Sequence, residues 1–365
     1  MCGQPVMRKN EAMVSGRKMV VFPYYRGNPY LNLTYLASRA AGTDVVQTRR
    51  LDDFVEATAE LRAGDFVHVH WTAEIAQNAD DELEARTALD TFCQAILSAK
   101  DRGVRLLWTV HNRVPHETKW FQLERSLSQF LADTSDRIVV MSPATAEVVS
   151  DVFTLPPDRT VTLPHPSYQG IYVPVDRGRS RNELGVPADL PTALFFGQMR
   201  SYKGIGTLLE SASLASAAGA QFGLLLAGRA SDAAQARIEA HLPDGVPIVR
   251  HYGFVPNEDV ARWFAAADLA VFPYADILNS GSIHLAATLE VPVAVPDLPN
   301  LVDQFGDEEW VHFYSADEGP KDLARLLCDL PRIRALPNSA RRFAARTSPY
   351  AVSEQLADLV ASLEA

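Results

Sequence analysis

Two short stretches hold the residues best suited to gripping a diphosphate. The first, "GQMRSYKG" at 197–204, follows an apolar run and places Arg200 and Lys203 just ahead of a helical pattern. A guanidinium fork beside an ammonium point charge suits a diphosphate. A helix start adds free N–H groups and a positive dipole end, and Gly197 permits the tight turn. The plain alternative is a solvated turn with chance basic residues. The second stretch, "NSGS" at 279–282, also stands between a strand pattern and a helix pattern. Ser280, Gly281 and Ser282 can present consecutive N–H groups, and Gly281 has no Cβ to keep a phosphate from the backbone. The two hydroxyls add donors, or one of them caps the helix. Two anion sites on one sheet edge would hold one diphosphate from two sides.

The first half carries loops of a different composition. "YYRGNPY" supplies Tyr25, Arg26 and Asn28, "HWTAE" supplies His70, Trp71 and Glu74, and "HNRVPHETKWF" supplies His111, Asn112, Arg113, His116 and Glu117. Aromatic rings stack on sugar faces, and the polar groups can bond hydroxyls or phosphate. Glu74, Glu117 and His111 are the groups of these loops able to take up a proton. For Glu74, His116 and Glu117, helix capping and packing are the competing fates.

These loops need a scaffold, and the chain alternates strand and helix patterns. In the first half "KMVVFPYY", "DFVHVHW", "VRLLWTVHN" and "RIVVMS" read as strands, with helical stretches between them. Ser142 is placed to cap a helix through "PATAEVVSDVF" with Pro143 at its first position. Residues 168–191, rich in Gly, Pro and charge, read as a linker. Alternation then restarts with "TALFFGQM", "FGLLLAG", "VPIVRHYG", "DLAVFPY" and "VPVAVP". The expected architecture is α/β, with parallel sheets covered by helices. The expected division is an N-terminal domain over 1–175, a C-terminal domain over 176–345, and a last helix over 346–365 that packs back on the first domain. Ligands of such sheets bind beyond the carboxyl ends of the strands.

Composition bounds the partners. The 365 residues are enough for two α/β domains. A net charge of −11 argues against nucleic acid as a partner. The first 50 residues nonetheless hold eight basic and two acidic residues, a basic edge that could approach an anionic membrane surface. Cys2, Cys93 and Cys328 make no metal spacing, no apolar span is long enough to cross a membrane, and the leader lacks a secretory h-region. The expected location is cytoplasmic, with peripheral contact at the inner face of the membrane as an option.

In order and spacing, "FFGQMRSYKGIGTLLES", "LLLAGRA", "HYGFVPNEDVARWFAAADLAVFPY" and "VPVAVPDLP" resemble the donor-binding half of GT-B glycosyltransferases of the family 4 type. "FPYYRGNPY", "HVHW", "WTVHN" and "VTLPHPSY" resemble that family's acceptor domain more loosely. The resemblance implies two Rossmann-like domains facing each other across a cleft, with no cofactor beyond the nucleotide-diphosphate sugar itself. It assigns Arg200 and Lys203 to the diphosphate, the backbone at Phe254 and Val255 to the base, and His111 to the donor sugar. Gly228 and Tyr274 fall within the same donor site. The family's two glutamates, eight positions apart, are replaced by Ile277 and Leu285. Asp276 and Asn279 are the expected partial substitutes, and the Ser-Gly-Ser turn resembles a bacterial polysaccharide branch of the family. Glu290 stands where the family usually has a glycine or another small residue, and its expected role is structural or solvent-facing.

The reaction this resemblance implies is transfer of a sugar from GDP-mannose or a UDP-sugar to a hydroxyl of a glycan or lipid-linked saccharide. The catalytic set is His111, Arg200, Lys203 and Glu117. No Asp-x-Asp motif stands in a suitable loop, so no metal is expected, and resemblance alone favours retention of configuration. A sugar-nucleotide 2-epimerase of the same architecture and a non-catalytic nucleotide-sugar-binding protein are the rival readings.

Overall fold

The computed structural model describes residues 16–115, 117–333 and 338–363. Cys2, most of the polar leader and His116 lie outside them. Two six-stranded sheets, each wholly parallel, organise the rest. The first contains β1 (Lys18–Phe22), β2 (Asp44–Gln47), β3 (Phe66–Val69), β4 (Arg105–Thr109), β5 (Arg137–Val140) and β6 (Thr160–Thr162), in the order β2-β1-β3-β4-β5-β6. The second contains β7 (Thr192–Phe196), β8 (Gly223–Ala227), β9 (Ile248–His251), β10 (Leu269–Val271), β11 (Val293–Pro296) and β12 (Val311–Tyr314), in the order β12-β11-β10-β7-β8-β9. The second order is that of a Rossmann fold, and its direction reverses between β7 and β10. The first sheet reverses between β1 and β3. Ligands bind in the crevice at such a reversal, and the candidate loops after β1, β3, β7 and β10 all leave from these points.

Side-chain alternation explains why each sheet is covered on both faces. Val20, Phe22, Val67, Val69, Leu106 and Trp108 pack with Phe54, Phe92 and Ile96 on one face of the first sheet. Met19, Val21, Phe66 and Leu107 face the other way, against Tyr35, Leu356 and Val360. The last two belong to the helix Pro349–Ala361, which therefore packs on the N-terminal half. In the second sheet Phe195, Leu224, Leu226 and Val271 meet Leu208, Leu209 and Leu323. Leu194, Leu225, Phe272 and Val295 meet Trp263, Phe264, Ile283 and Trp310. Each such buried side chain contributes about 1.5–3 kcal/mol relative to exposure.

Two features differ from the sequence expectation, and a third explains a residue it noted. The stretch after Ser142 forms only one turn, Thr145–Val148, with Ala144 rather than Ser142 at its cap; the Ser142 hydroxyl donates to Asp303 of the other half at 2.5 Å and accepts from Ala144 N. The linker contains a helix, Arg177–Leu184, capped by the Asp176 side chain and ended by Gly185. Its Arg181, 3% exposed, donates to the carbonyls of Ala266, Pro187 and Leu190, which fixes the helix on the second domain. Glu290 adopts φ 60, the left-handed region that favours glycine, which accounts for the glycine usual there in the resembling family.

Candidate functional site

A cavity of about 690 Å³ lies between the two halves. From the C-terminal half it takes Gln198, Arg200, Tyr202, Lys203, Ile277, Asn279 and Gly281. From the N-terminal half it takes Tyr25, Asn28, Tyr30, Trp71, His111, Asn112 and Glu117, and from the segment after β6 it takes His165 and Tyr168. The basic pair and the small-residue turn thus open onto one space.

Close packing of the backbone fixes the two donor-side loops to each other. Gly204 closes the turn Ser201–Lys203 at φ 70, and a Cβ there would lie 1.6 Å from the Pro273 carbonyl oxygen. Ala275 N donates to the Tyr202 carbonyl at 3.0 Å. Gly228 touches Gly197 in the same way, with 1.8 Å between a would-be Cβ and the Gly197 oxygen. Gly197 and Gly228 therefore let two strand ends meet. The Lys203 ammonium lies 4.7 Å above the Tyr274 ring, and the Tyr274 hydroxyl bonds Ser280 Oγ at 2.5 Å. With its hydroxyl taken, Ser280 makes no side-chain cap for the helix Gly281–Thr288. That helix start, with Ser282 beside Gly197, faces the cavity uncapped. Arg200 reaches across to Glu117 at 3.4 Å, so the carboxylate lies against the cation rather than free in the cleft.

Gly281 has a second reason to be small. A Cβ there would come 2.6 Å from the Tyr168 hydroxyl and 3.3 Å from His165 Nε2. The segment after β6 therefore lies against the turn, and any side chain at 281 would displace it whether or not a phosphate binds.

The other donor-side positions are spread more widely. Phe254 is 64% exposed with the Arg229 guanidinium 6.0 Å from its ring centre, while Val255 is buried. A neighbouring cavity of about 500 Å³ shares Glu117, Gln198 and Arg200 with the first and adds Arg229, Ser231 and Arg237. Asp276 is exposed and faces Arg113 electrostatically. Asn279 donates to the carbonyls of Val110 and His111 at 3.3 and 3.2 Å, tying the second domain to the end of β4. Ile277 and Leu285 are buried and apolar where the resembling family carries carboxylates.

On the acceptor side Tyr25 donates to Glu74 at 2.7 Å, Asn28 caps the helix Pro29–Thr34, and Trp71 stacks on His111 at 4.2 Å. Three expected contacts are placed elsewhere. Arg26 is exposed outside the cavity lining. Arg113 is clamped to Asp151 through two nitrogens, which holds its guanidinium above the usual range. His70 is 1% exposed and stands behind the wall rather than on it.

His70 belongs to a chain of buried polar groups. Thr109 Oγ1 meets His68 Nε2 at 2.8 Å, and His68 Nδ1 meets the Tyr35 hydroxyl at 2.7 Å. That hydroxyl meets His70 Nε2 at 2.6 Å, and His70 Nδ1 meets His111 Nε2 at 2.9 Å. Burial pushes His68 down to about 3 and His165 to about 4, and holds His70, His111 and His284 well below the usual imidazole value. All five are neutral at pH 7. Sequence reasoning did not single out Gln77 for the cavity, and it held Tyr30, His165, Tyr168 and Gln198 only within longer stretches. "VTLPHPSY", which begins in β6 and runs on past its carboxyl end, holds two of them, and "YYRGNPY" and "GQMRSYKG" hold Tyr30 and Gln198.

The cleft between the two Rossmann-like sheets carries cations on one wall and aromatic and imidazole groups on the other. The family model described as "Glycosyltransferase Family 4" matches residues 81–166, and "Glycosyl transferases group 1" matches 190–331. The chain is 27% identical over 321 residues to a GDP-mannose:glycolipid 4-beta-D-mannosyltransferase of Xanthomonas campestris pv. campestris, covering 86% of this chain and 82% of that one. It is 28% identical over 300 residues to a D-inositol 3-phosphate glycosyltransferase of Thermobispora bispora, covering 72% and 66%. Among solved structures it is similar to a sucrose-phosphate synthase of Thermosynechococcus elongatus, with a TM-score of 0.72, 19% identity, and 95% and 99% of the two chains covered. It is also similar to Anabaena HepE in complex with UDP and glucose, with a TM-score of 0.71, 14% identity, and 95% and 100% covered. The chain belongs to the GT-B glycosyltransferases. No described helix is long and apolar enough to cross a membrane.

Proposed function

We propose that this enzyme transfers a hexosyl group from a nucleotide-diphosphate sugar to a hydroxyl of a glycan or lipid-linked saccharide, without a metal ion. The observation that carries this reading is the shared cavity, in which Arg200, Lys203 and the Gly281 turn face Trp71 and His111. Negative charge grows on the leaving diphosphate, and the two cations with the Gly281 and Ser282 N–H groups would stabilise it from fixed positions. Asn279 Oδ1 is buried without a hydrogen-bond partner, and a ribose or sugar hydroxyl would satisfy it. It is the group that best replaces the absent glutamates. The neighbouring cavity, with Arg229 beside Phe254, suits the nucleoside. Tyr25, Asn28 and Trp71 suit the acceptor saccharide, and the basic N-terminal edge would rest on an anionic membrane when that acceptor is lipid-linked.

GDP-mannose is the first donor to try, because a relative is named for it. That relative is also named for a β-mannosyl product. Carried to this chain, with an α-linked donor, such a product means inversion rather than the retention the family resemblance favours. A thermal-shift screen of GDP-, UDP-, dTDP- and ADP-sugars tests the donor. The cognate donor at 100 times its dissociation constant stabilises by about 2.7 kcal/mol, and it should then support transfer to a saccharide acceptor. No shift with any nucleotide sugar would overturn the proposal.

A further inference from the structure

The chain from Thr109 to His111 has a physical consequence for proton transfer. Tyr35 is fully buried, and its hydroxyl has one proton to place between His68 Nδ1 and His70 Nε2. It must donate to one and accept from the other. Each neutral imidazole likewise carries one N–H. The chain therefore has two polarities, and heavy-atom positions are compatible with both. In one, Thr109 donates inward, and the sequence ends with His70 Nδ1–H donating to His111 Nε2, so that His111 carries its proton on Nδ1. In the other, His111 Nε2–H donates to His70 Nδ1, His70 Nε2–H to Tyr35, Tyr35 to His68 Nδ1, and His68 Nε2–H to Thr109. His111 Nδ1 is then a bare lone pair. Because His111 lines the cavity and its Nε2 is bound to His70, Nδ1 is the ring nitrogen left for a substrate.

We propose that His111 is the catalytic base of an inverting transfer, and that His70, Tyr35 and His68 are positioning residues that hold its Nδ1 free of a proton. This rests on the glycosyltransferase reading. In the step, the acceptor hydroxyl oxygen bonds to the anomeric carbon and its proton passes to His111 Nδ1. The bond from that carbon to the diphosphate oxygen breaks, and its electron pair leaves with the nucleoside diphosphate. The new imidazolium keeps its Nε2–H bonded to His70 Nδ1, so both N–H groups remain satisfied. Solvent recovers the proton when product leaves.

The surroundings fit this role. Trp71 stacks on the His111 ring and Tyr30 meets it edge-on at 5.2 Å, which leaves little rotational freedom. Asn279 holds the His111 carbonyl, coupling the ring's backbone to the donor-side turn. The titratable groups that face His111 are His70 from the end of β3, Tyr30 from the helix Pro29–Thr34, and His165 from the segment after β6, with His68 one step behind. All of these are neutral, and the charged groups of the same cavity are Arg200, Lys203 and Glu117, the first two of which face the donor diphosphate in the proposed complex. An incoming diphosphate favours the imidazolium and raises the proton affinity of His111 in the complex.

The test starts from wild-type enzyme that transfers sugar. NMR of the product should show the anomeric configuration opposite to the donor's. Tyr35→Phe, which keeps the ring and removes the hydroxyl, should lower kcat by roughly tenfold or more while the donor KM stays within about threefold, a fraction of the 10²–10⁴-fold typical of general-base catalysis. His68→Gln, farther from the cavity, is the second variant and should move kcat in the same direction. His111→Ala should lose about 10²–10⁴-fold in kcat and also lose the acid limb of the pH profile. In wild type that limb should lie at higher pH for kcat than for kcat/KM. Retained configuration, or Tyr35→Phe and His68→Gln variants with wild-type kcat, would overturn the base assignment while leaving the transferase reading in place. An enzyme that binds nucleotide sugars yet transfers nothing would overturn both.

Discussion

Lys203→Ala is expected to cut transfer by about 10²–10³-fold, equal to about 2.7–4 kcal/mol of transition-state stabilisation, by analogy with the loss of one anion-hole donor. The two cations of the site are held differently. Arg200 already has a carboxylate, Glu117, at 3.4 Å, and both groups are largely exposed, so that ion pair adds little to stability. The Lys203 ammonium sits over the rings of Tyr202 and Tyr274 at 5.4 and 4.7 Å, with no carboxylate paired to it among the described residues. Its charge is therefore available to an incoming diphosphate, and its aliphatic stem is held by ring packing. The expected signature is weakened donor binding and lost turnover with little change in melting temperature. Arg200→Ala should also weaken donor binding, but it additionally frees Glu117 to repel the diphosphate. Donor titration and kcat/KM on both variants check this. Wild-type donor affinity in Lys203→Ala would remove lysine from the diphosphate site.

Acid should destabilise the protein steeply, beginning just below pH 6.5. His68, His70, His111, His165 and His284 are buried and neutral, and their proton affinities are held below the ordinary value chiefly by burial. In the unfolded chain each binds a proton near pH 6.5. Below that pH the unfolded state holds more protons than the native state, so stability falls as pH falls. Each histidine contributes a slope of up to about 1.4 kcal/mol per pH unit, and the window runs down to the folded-state value, about 4 for His165 and about 3 for His68. Urea midpoints at pH 7.5 and 5.5 measure the effect. Equal midpoints would mean that these imidazoles are charged or solvated in the native protein, and the chain from Thr109 to His111 could not then be a set of neutral rings.

Much of the second domain was legible because its central strands, such as "ALFF" and "GLLLA", are continuous apolar runs buried on both faces. The edge strands β2 and β12 were not, and β6 was read only through the resemblance of "VTLPHPSY". They are three or four residues long and partly exposed, so they lack both the length and the periodicity that mark a strand. The helix Arg177–Leu184 was hidden by a charged, glycine-bearing sequence whose single buried residue of consequence is an arginine. In the site, Arg200 and Lys203 could be read because a strand end, a turn and a helix start are contiguous in sequence. The spacing of His68 and His70 puts them on one face of β3. Their partners come from the junction between two short helices at Tyr35, from the last residue of β4 at Thr109 and from the loop after it at His111, and no local pattern reveals that meeting. The contact of Tyr168 and His165 with Gly281 depends in the same way on the path of a segment more than a hundred residues distant in sequence.

The most direct measurement is a crystal structure of the protein with GDP, or with whichever nucleoside diphosphate stabilises it most. The diphosphate is expected between Arg200 and Lys203 on one side and the N–H groups of Gly281 and Ser282 on the other, within hydrogen-bonding distance of both. A diphosphate held by only one of these loops, or bound outside the cleft that His111 lines, would contradict the account.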